Sequence, residues 1–350
     1  MTKISTIPGP VVLIGSGETS PASGAVFEKI ARQYEPPLRI AVLETPAGFE
    51  LNSNRVAGRV GDFLSKRLQN YNPIVDVIPA RKKGGENSPD NEAILEPLYK
   101  ADLIFLGPGS PTYTARQLDG SLAYEIIQAR QRTGASLVLA SAATIAFGVQ
   151  TLPVYEIFKA GMDLHWKPGL DFFRHYGLNL IIIPHWNNTQ GGSELDTSRC
   201  FMGMDRFDQL KAMLDREIII LGIDEHTALW LDPKNETHNV FGKGKVHLIK
   251  DGVEAEFIKG DTVPIELTIT ADPSEGIRTE IQTRFNELRE ESQVLKRDSI
   301  PENLQDWVQL RETARKIGNF SAADAFRAKI TEAGWKVTDT GEGPRLERIK

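Results

Sequence analysis

Seven short apolar runs, at residues 11–15, 38–43, 74–78, 103–106, 137–140, 180–183 and 218–223, set the strongest limit on what this chain can become. They are rich in Val, Ile and Leu and lack the polar alternation of a strand with one wet face. Such strands are buried on both sides, the condition of a parallel sheet covered by helices on each face. Between them lie stretches of helical periodicity at 23–34, 53–71, 91–99, 112–132 and 197–214. The alternation predicts an α/β fold with a doubly wound, mostly parallel sheet. In such sheets ligands collect outside the carboxyl ends of the strands.

After residue 228 the pattern shifts to short segments at 227–231, 240–241, 245–249 and 254–258, separated by Asp-Pro, Gly-Lys-Gly and Asp-Gly turn signals. These read as β-hairpins, with Gly252 marking the sharpest turn. A charged helical stretch at 277–294 reads as a connector that breaks at Pro301. Beyond it, Trp307, Leu310, Ala314 and Ile317 form one helical stripe and Ala322, Phe326 and Ile330 another, on either side of Gly318-Asn319-Phe320. A helical hairpin follows, with Ser321 as the expected N-cap of its second helix and Gly334 as its end. Residues 335–349 can add a hairpin through Gly341-Glu342-Gly343. The expected division is therefore an α/β domain over 1–270, a helical connector over 271–300 and a small helical module over 301–350.

No apolar run approaches the length that spans a bilayer, and the N-terminus, MTKISTIPGP, has no apolar core or cleavage site of a secretory signal. A cytoplasmic protein is expected. Cys200 is the single cysteine, so neither an intrachain disulfide nor a cysteine zinc cluster can form. The formal charge of -6 argues against nucleic-acid binding by the whole surface. His185, His226, Asp224 and Glu225 show no recognisable metal-ligand spacing, so no metal and no cofactor are expected.

Chemistry is sought at the strand ends. In Leu137 to Gly148, an apolar strand stops at Ser141 and small residues lead into a helix. A hydroxyl there can project above the sheet edge while N–H groups at the helix start face a developing oxyanion. The competing reading is a plain serine N-cap. Gly107-Pro108-Gly109-Ser110 follows the fourth strand and can lend a further N–H, or can simply turn the chain. His185, at the end of the next strand, is placed to act as general base. Asp224 or Glu225 after the last strand can orient its ring, with Glu225, nearer to the rim, preferred and Glu156, between Ser141 and His185, as the competing acid. Asn187, Arg199 and Arg206 are candidate substrate contacts, although helical arginines more often pair with local acids. Gly15-Ser16-Gly17-Glu18 reads as a tight turn into a helix, and Cys200 as a core residue.

These pieces together resemble the peptidase S51 family, which contains dipeptidase E and cyanophycinase and has the class I glutamine amidotransferase-like fold. The resemblance covers most of residues 10–260. It rests on the Gly-rich loop at 15–18, the loop at 107–110, the serine segment at 139–144, His185 and, most specifically, Gly-Ile-Asp-Glu-His-Thr-Ala-Leu at 222–229. It implies Ser141 as nucleophile, His185 as base, Glu225 as orienting acid, and the N–H groups of Ala142 and of Gly107 or Gly109 as the oxyanion hole. Ala143 stands where the family's elbow has Gly, and Asn187 and Asn188 follow the histidine where the polymer-degrading members carry Gln and Arg. Residues 305–345 resemble the small C-terminal module of cysteinyl-tRNA synthetases, which implies an RNA or protein contact at most. The expectation is a serine hydrolase that cleaves an amide bond of a small, peptide-like substrate. Its rival is a non-catalytic ligand- or partner-binding domain of the same fold, and a homodimer stays open.

Overall fold

Strand β1 (Val11–Ile14) is entirely buried. There follow α1 (Pro21–Ala31), β2 (Arg39–Leu43), α2 (Ser53–Arg67), β3 (Ile74–Ile78), α3 (Glu92–Lys100), β4 (Leu103–Leu106), α4 (Pro111–Leu118), α5 (Leu122–Arg132), β5 (Ser136–Ala140) and α6 (Ala142–Ala146). Next come the two-residue β6 (Gln150–Thr151), α7 (Val154–Phe158), β7 (Lys167–Pro168), β8 (Leu180–Ile183), α8 (Gly203–Ala212) and β9 (Ile219–Ile223). Strands β10 (Thr227–Asp232), β11 (Thr237–Gly242), β12 (Val246–Lys250) and β13 (Val253–Phe257) precede α9 (Thr279–Asp298), α10 (Glu302–Lys316), α11 (Phe320–Glu332), β14 (Trp335–Thr340) and β15 (Gly343–Arg348). This computed structural model describes residues 7–268, 277–298, 302–340 and 343–349. It divides into two compact units, Met1–Arg284 and Phe285–Lys350.

The first unit is α/β with a largely parallel central sheet, in the order β11-β10-β1-β5-β4-β2-β3. From β1 the chain crosses to β2 and β3 at the far edge of the sheet before returning through β4 to β5 beside it. β1, β5, β4, β2 and β3 run parallel, while β10 and β11 add an antiparallel edge. Val12, Ile14, Ile40, Val42, Phe105, Val138 and Trp230 share one core with Phe27, Val60 and Leu64 of α1 and α2. The alternate residues Leu13, Ala41, Leu43, Ile104, Leu137, Leu139 and Leu229 are equally buried. Along β1, β2, β4 and β5 both faces are dry, which is why the sequence shows apolar runs rather than alternation, while β3 at the edge is half-exposed.

The structure departs from the sequence reading in one way that matters. Strands β8 and β9 pair with each other in parallel and with the hairpin β12–β13 in a separate four-stranded sheet, β13-β12-β9-β8. An apolar strand carries no mark of which sheet will accept it. The helical stretch at 112–132 is two helices, because Asp119-Gly120 interrupts it with Gly120 at φ 63 and Ser121 caps the second. The helix expected at 197–214 starts at Gly203, since Arg199, Cys200 and Phe201 all take left-handed conformations, φ 53, 56 and 70.

In the second unit α10 and α11 form a helical hairpin, and Leu304, Ile330, Trp335 and Val337 make its core. Asn319, not Ser321, caps α11: its side chain accepts the Ala322 N–H at 3.1 Å. The helix therefore begins earlier than Ser321 would place it. Strands β14 and β15 pair antiparallel. The boundary between the units falls within α9, the expected connector. The expected break at Pro301, the Gly341-Glu342 half of the last turn, the domain limit near 270 and the first six residues lie outside the described residues.

Candidate active site

Ser141 ends β5 and opens α6 with φ 52 and ψ -116. A non-glycine residue in that region stores roughly 1–3 kcal/mol of strain. Its N–H donates to the Ile14 carbonyl at 3.1 Å, which fixes the turn against the adjacent strand. The hydroxyl makes no capping bond to the helix, so the N-cap reading does not hold. Ser141 Oγ stands 2.9 Å from His185 Nε2.

His185 leaves the second sheet, just after β8, in a left-handed conformation of its own, φ 52. The neighbouring Trp186 anchors this turn. Its indole is buried between the His247 ring, stacked at 5.1 Å, and the Arg199 guanidinium, 4.4 Å from the ring centroid. Gly222 is required beneath it, since a Cβ there would meet the indole at 2.4 Å. The core around Ile181, Ile183, Trp186, Met202 and Phe207 thus holds the imidazole from below.

His185 Nδ1 is 2.9 Å from Glu225 Oε1. Glu225 occupies the crossing from β9 in one sheet to β10 in the other, and so the two sheets meet at this residue. Burial opposes its charge, but hydrogen bonds from His185 and Asn188 outweigh it and hold the carboxyl below the usual carboxylate range. Asp224, the alternative in the same dipeptide, turns away. It is buried, accepts the Lys245 N–H at 2.8 Å and faces His247 Nε2 at 3.3 Å. The Gly15–Glu18 loop serves this crossing: Cβ atoms at Gly15 and Gly17 would lie 2.1 Å from the Asp224 carbonyl and 2.3 Å from the His226 ring. It is a packing turn.

A cleft of about 280 Å³ opens above Ser141. It is bounded by Gly109, Ala142, Tyr155, His185, Cys200 and Phe201. Gly109 has φ 153 and lies so close to the Pro46 carbonyl that a Cβ would come within 1.8 Å. Neither Gly109 nor Ala142 gives its N–H to a hydrogen bond among the described residues, so both remain available to an oxyanion. Gly107 instead packs on the Phe105 ring and does not line the cleft. Burial pushes the Cys200 thiol up to about 12, with the Glu225 charge adding to it, so the sulfur is a protonated wall of the cleft.

Four candidates stand elsewhere than the sequence reading put them. Glu156, on α7, accepts from Thr112 Oγ1 at 2.6 Å, lies 3.5 Å from Lys167 Nζ and lines an adjoining cleft of about 650 Å³; it makes no bond to His185. Arg199 is occupied with Trp186, and Arg206 sits on α8 outside both clefts. Asn187 turns its Oδ1 to the Glu225 N–H, at 2.8 Å, rather than to the cleft. Asn188 is the residue whose contact was missed: it is buried, and its Nδ2 donates to Glu225 Oε1 at 3.1 Å. An asparagine three residues after the strand-end histidine was the available signal. Among the described residues no cluster of His, Cys, Asp and Glu is arranged to hold a metal ion, and no helix is long and apolar enough to cross a membrane.

No family model matches the chain. A 55-residue stretch, 16% of the chain, is 40% identical to a cysteine–tRNA ligase from Caldicellulosiruptor saccharolyticus and spans 12% of that protein's length. Among solved structures, the fold is similar to that of a peptidase from an acI-B1 Actinobacterium, with a TM-score of 0.59 and 22% identity over 74% of this chain and 98% of that one. The α/β unit therefore has the architecture of that peptidase, with the two sheets and terminal hairpins described above.

Proposed function

We propose that this chain is a serine hydrolase that cleaves an amide bond of a small, peptide-like substrate through an acyl-enzyme on Ser141. One observation carries the reading: the unbroken line from Ser141 Oγ to His185 Nε2 and from His185 Nδ1 to Glu225 Oε1, at 2.9 Å for each contact. In that line Glu225 holds the Nδ1–H tautomer, leaving Nε2 free to accept the hydroxyl proton. The Oγ attacks the substrate carbonyl carbon, and the resulting oxyanion faces the N–H groups of Gly109 and Ala142. Nε2 then passes its proton to the departing amine as the C–N bond breaks. Water, deprotonated by the same nitrogen, releases the acid and restores Ser141. The likeness to a solved peptidase supports hydrolysis as the class of reaction, and the single cysteine fits a reducing, cytoplasmic setting.

A fluorophosphonate probe tests the reading. The expected result is a covalent adduct on Ser141, absent from Ser141→Ala and strongly slowed in His185→Ala. Folded protein that stays unlabelled would return the chain to the class of non-catalytic binding domains. A second reading applies to residues 305–345 alone: the likeness to a tRNA ligase favours an RNA or protein contact there. Gel shift of tRNA by the full chain, compared with one ending near residue 296, decides it, since equal binding by the two removes the suggestion.

A further inference from the structure

We propose that the Asn187-Asn188 pair is a positioning device for Glu225, with Asn188 aiming the carboxylate and Asn187 fixing the backbone that carries it. The proposal rests on the hydrolase reading of the same site. Glu225 lies at the junction of two sheets, on a loop residue whose side chain is 27% exposed. A glutamate so placed would sample several rotamers, only one of which reaches the imidazole. Three groups from the single turn after β8 converge on it: His185 Nδ1 at 2.9 Å and Asn188 Nδ2 at 3.1 Å on Oε1, and Asn187 Oδ1 at 2.8 Å on the backbone N–H.

Base and acid are thereby locked to one another by the turn that carries the base. Asn188 is itself oriented from behind, because its Oδ1 accepts the Gln190 N–H at 3.1 Å and so its NH₂ must face Glu225. Its carbonyl accepts from Thr197 Oγ1 at 3.4 Å, and Thr197 Oγ1 in turn accepts the Gly191 N–H at 3.0 Å. The amide belongs to a fixed loop, and neither asparagine lines the cleft over Ser141. Both residues act on the reaction through Glu225, without touching substrate.

The test uses Asn188→Asp, which keeps the buried shape, removes the amide donor and sets a second carboxylate against Glu225, and Asn187→Ala, an exposed change that carries little risk to folding. Fluorophosphonate inactivation is resolved into the maximal rate and the half-saturating probe concentration. The expected result is a fall of about 10- to 100-fold in the maximal rate for Asn188→Asp, a smaller fall for Asn187→Ala, and an unchanged half-saturating concentration for both. The downfield proton resonance of His185 Nδ1–H is followed alongside, and should weaken or shift in both variants. Unchanged rates with wild-type labelling intact would overturn the positioning role and leave the hydrolase reading standing. A rise in half-saturating concentration alone would make these residues ligand contacts and overturn it too. If the wild type is not labelled, the hydrolase reading falls, and the Nδ1–H resonance alone decides: loss in the variants sustains the positioning role, and an unmoved signal ends it. Failure of Asn188→Asp to fold leaves the decision to Asn187→Ala.

Discussion

Replacing Glu225 with Gln separates two effects that the acid of such a triad usually delivers together. Where nothing fixes the new amide, its NH₂ can turn toward the imidazole and impose the wrong tautomer, a loss of roughly 10⁴-fold in the serine protease example. Here the position of Oε1 is already claimed by two donors, His185 Nδ1 and Asn188 Nδ2. An NH₂ at that point would face two donors at once, so the Gln carbonyl oxygen takes the place of Oε1 and the tautomer is kept. What is lost is the charge that stabilises the imidazolium formed during attack. Two unit charges about 4 Å apart at an effective dielectric near 20 attract by about 4 kcal/mol. Glu225 is partly open to solvent, and screening trims this to about 3 kcal/mol. At about 1.4 kcal/mol per decade, Glu225→Gln should slow fluorophosphonate labelling of Ser141 roughly 10²-fold. A loss of 10⁴-fold or more, equal to that of His185→Ala, would show that the tautomer had inverted and refute the pinning of Oε1.

Glu156→Gln should change the labelling rate by less than about threefold, because its carboxylate faces Thr112 and Lys167 rather than His185; a loss as large as that of Glu225→Gln would restore it as the acid. Burial lowers the His175 imidazole to about 4, aided by the charges of Arg132 and Arg174. The unfolded chain, with its histidine near 6.5, therefore binds more protons as pH falls from about 6.5 towards about 4, and stability is lost over that window. Thermal midpoints of His175→Gln should fall less steeply than those of wild type across the same range, and identical slopes would contradict the burial. In the second unit Arg311, buried itself, grips Asp339 through two nitrogens at 2.8 and 2.9 Å. Asp339→Asn should cost about 1–2 kcal/mol once solvent screening is counted, read as the denaturant midpoint of the Trp307 and Trp335 indole N–H resonances; an unmoved midpoint would show that the pair contributes nothing. The same hydrogen bonds, from Arg311 and then Arg315, hold the Asp339 carboxyl down to about 2, so its contribution persists above pH 3.8 and drains away only as pH falls towards about 2.

By itself the sequence determined the layered α/β architecture, because apolar runs without alternation are the pattern of strands with two dry faces, although the run at 74–78 became the half-exposed edge strand β3. It also located the serine turn, the histidine and the acidic dipeptide, since each follows a buried strand, where the chain must emerge into a loop. Strand β8 shows where this legibility stops. Leu180 to Ile183 read as one more central strand, yet they pair with β9 in a different sheet, and nothing in four apolar residues encodes a neighbour. The sequence favoured Glu225 over Asp224, but only the tertiary structure supplies the contacts that part them: Asp224 faces His247 and Glu225 faces His185. It also moved Glu156 to another cleft and Arg199 onto an indole. Proximity along the chain limits where a side chain can go, whereas the partner it reaches is fixed by which backbone segments pack together, here two separate sheets meeting at a single glutamate.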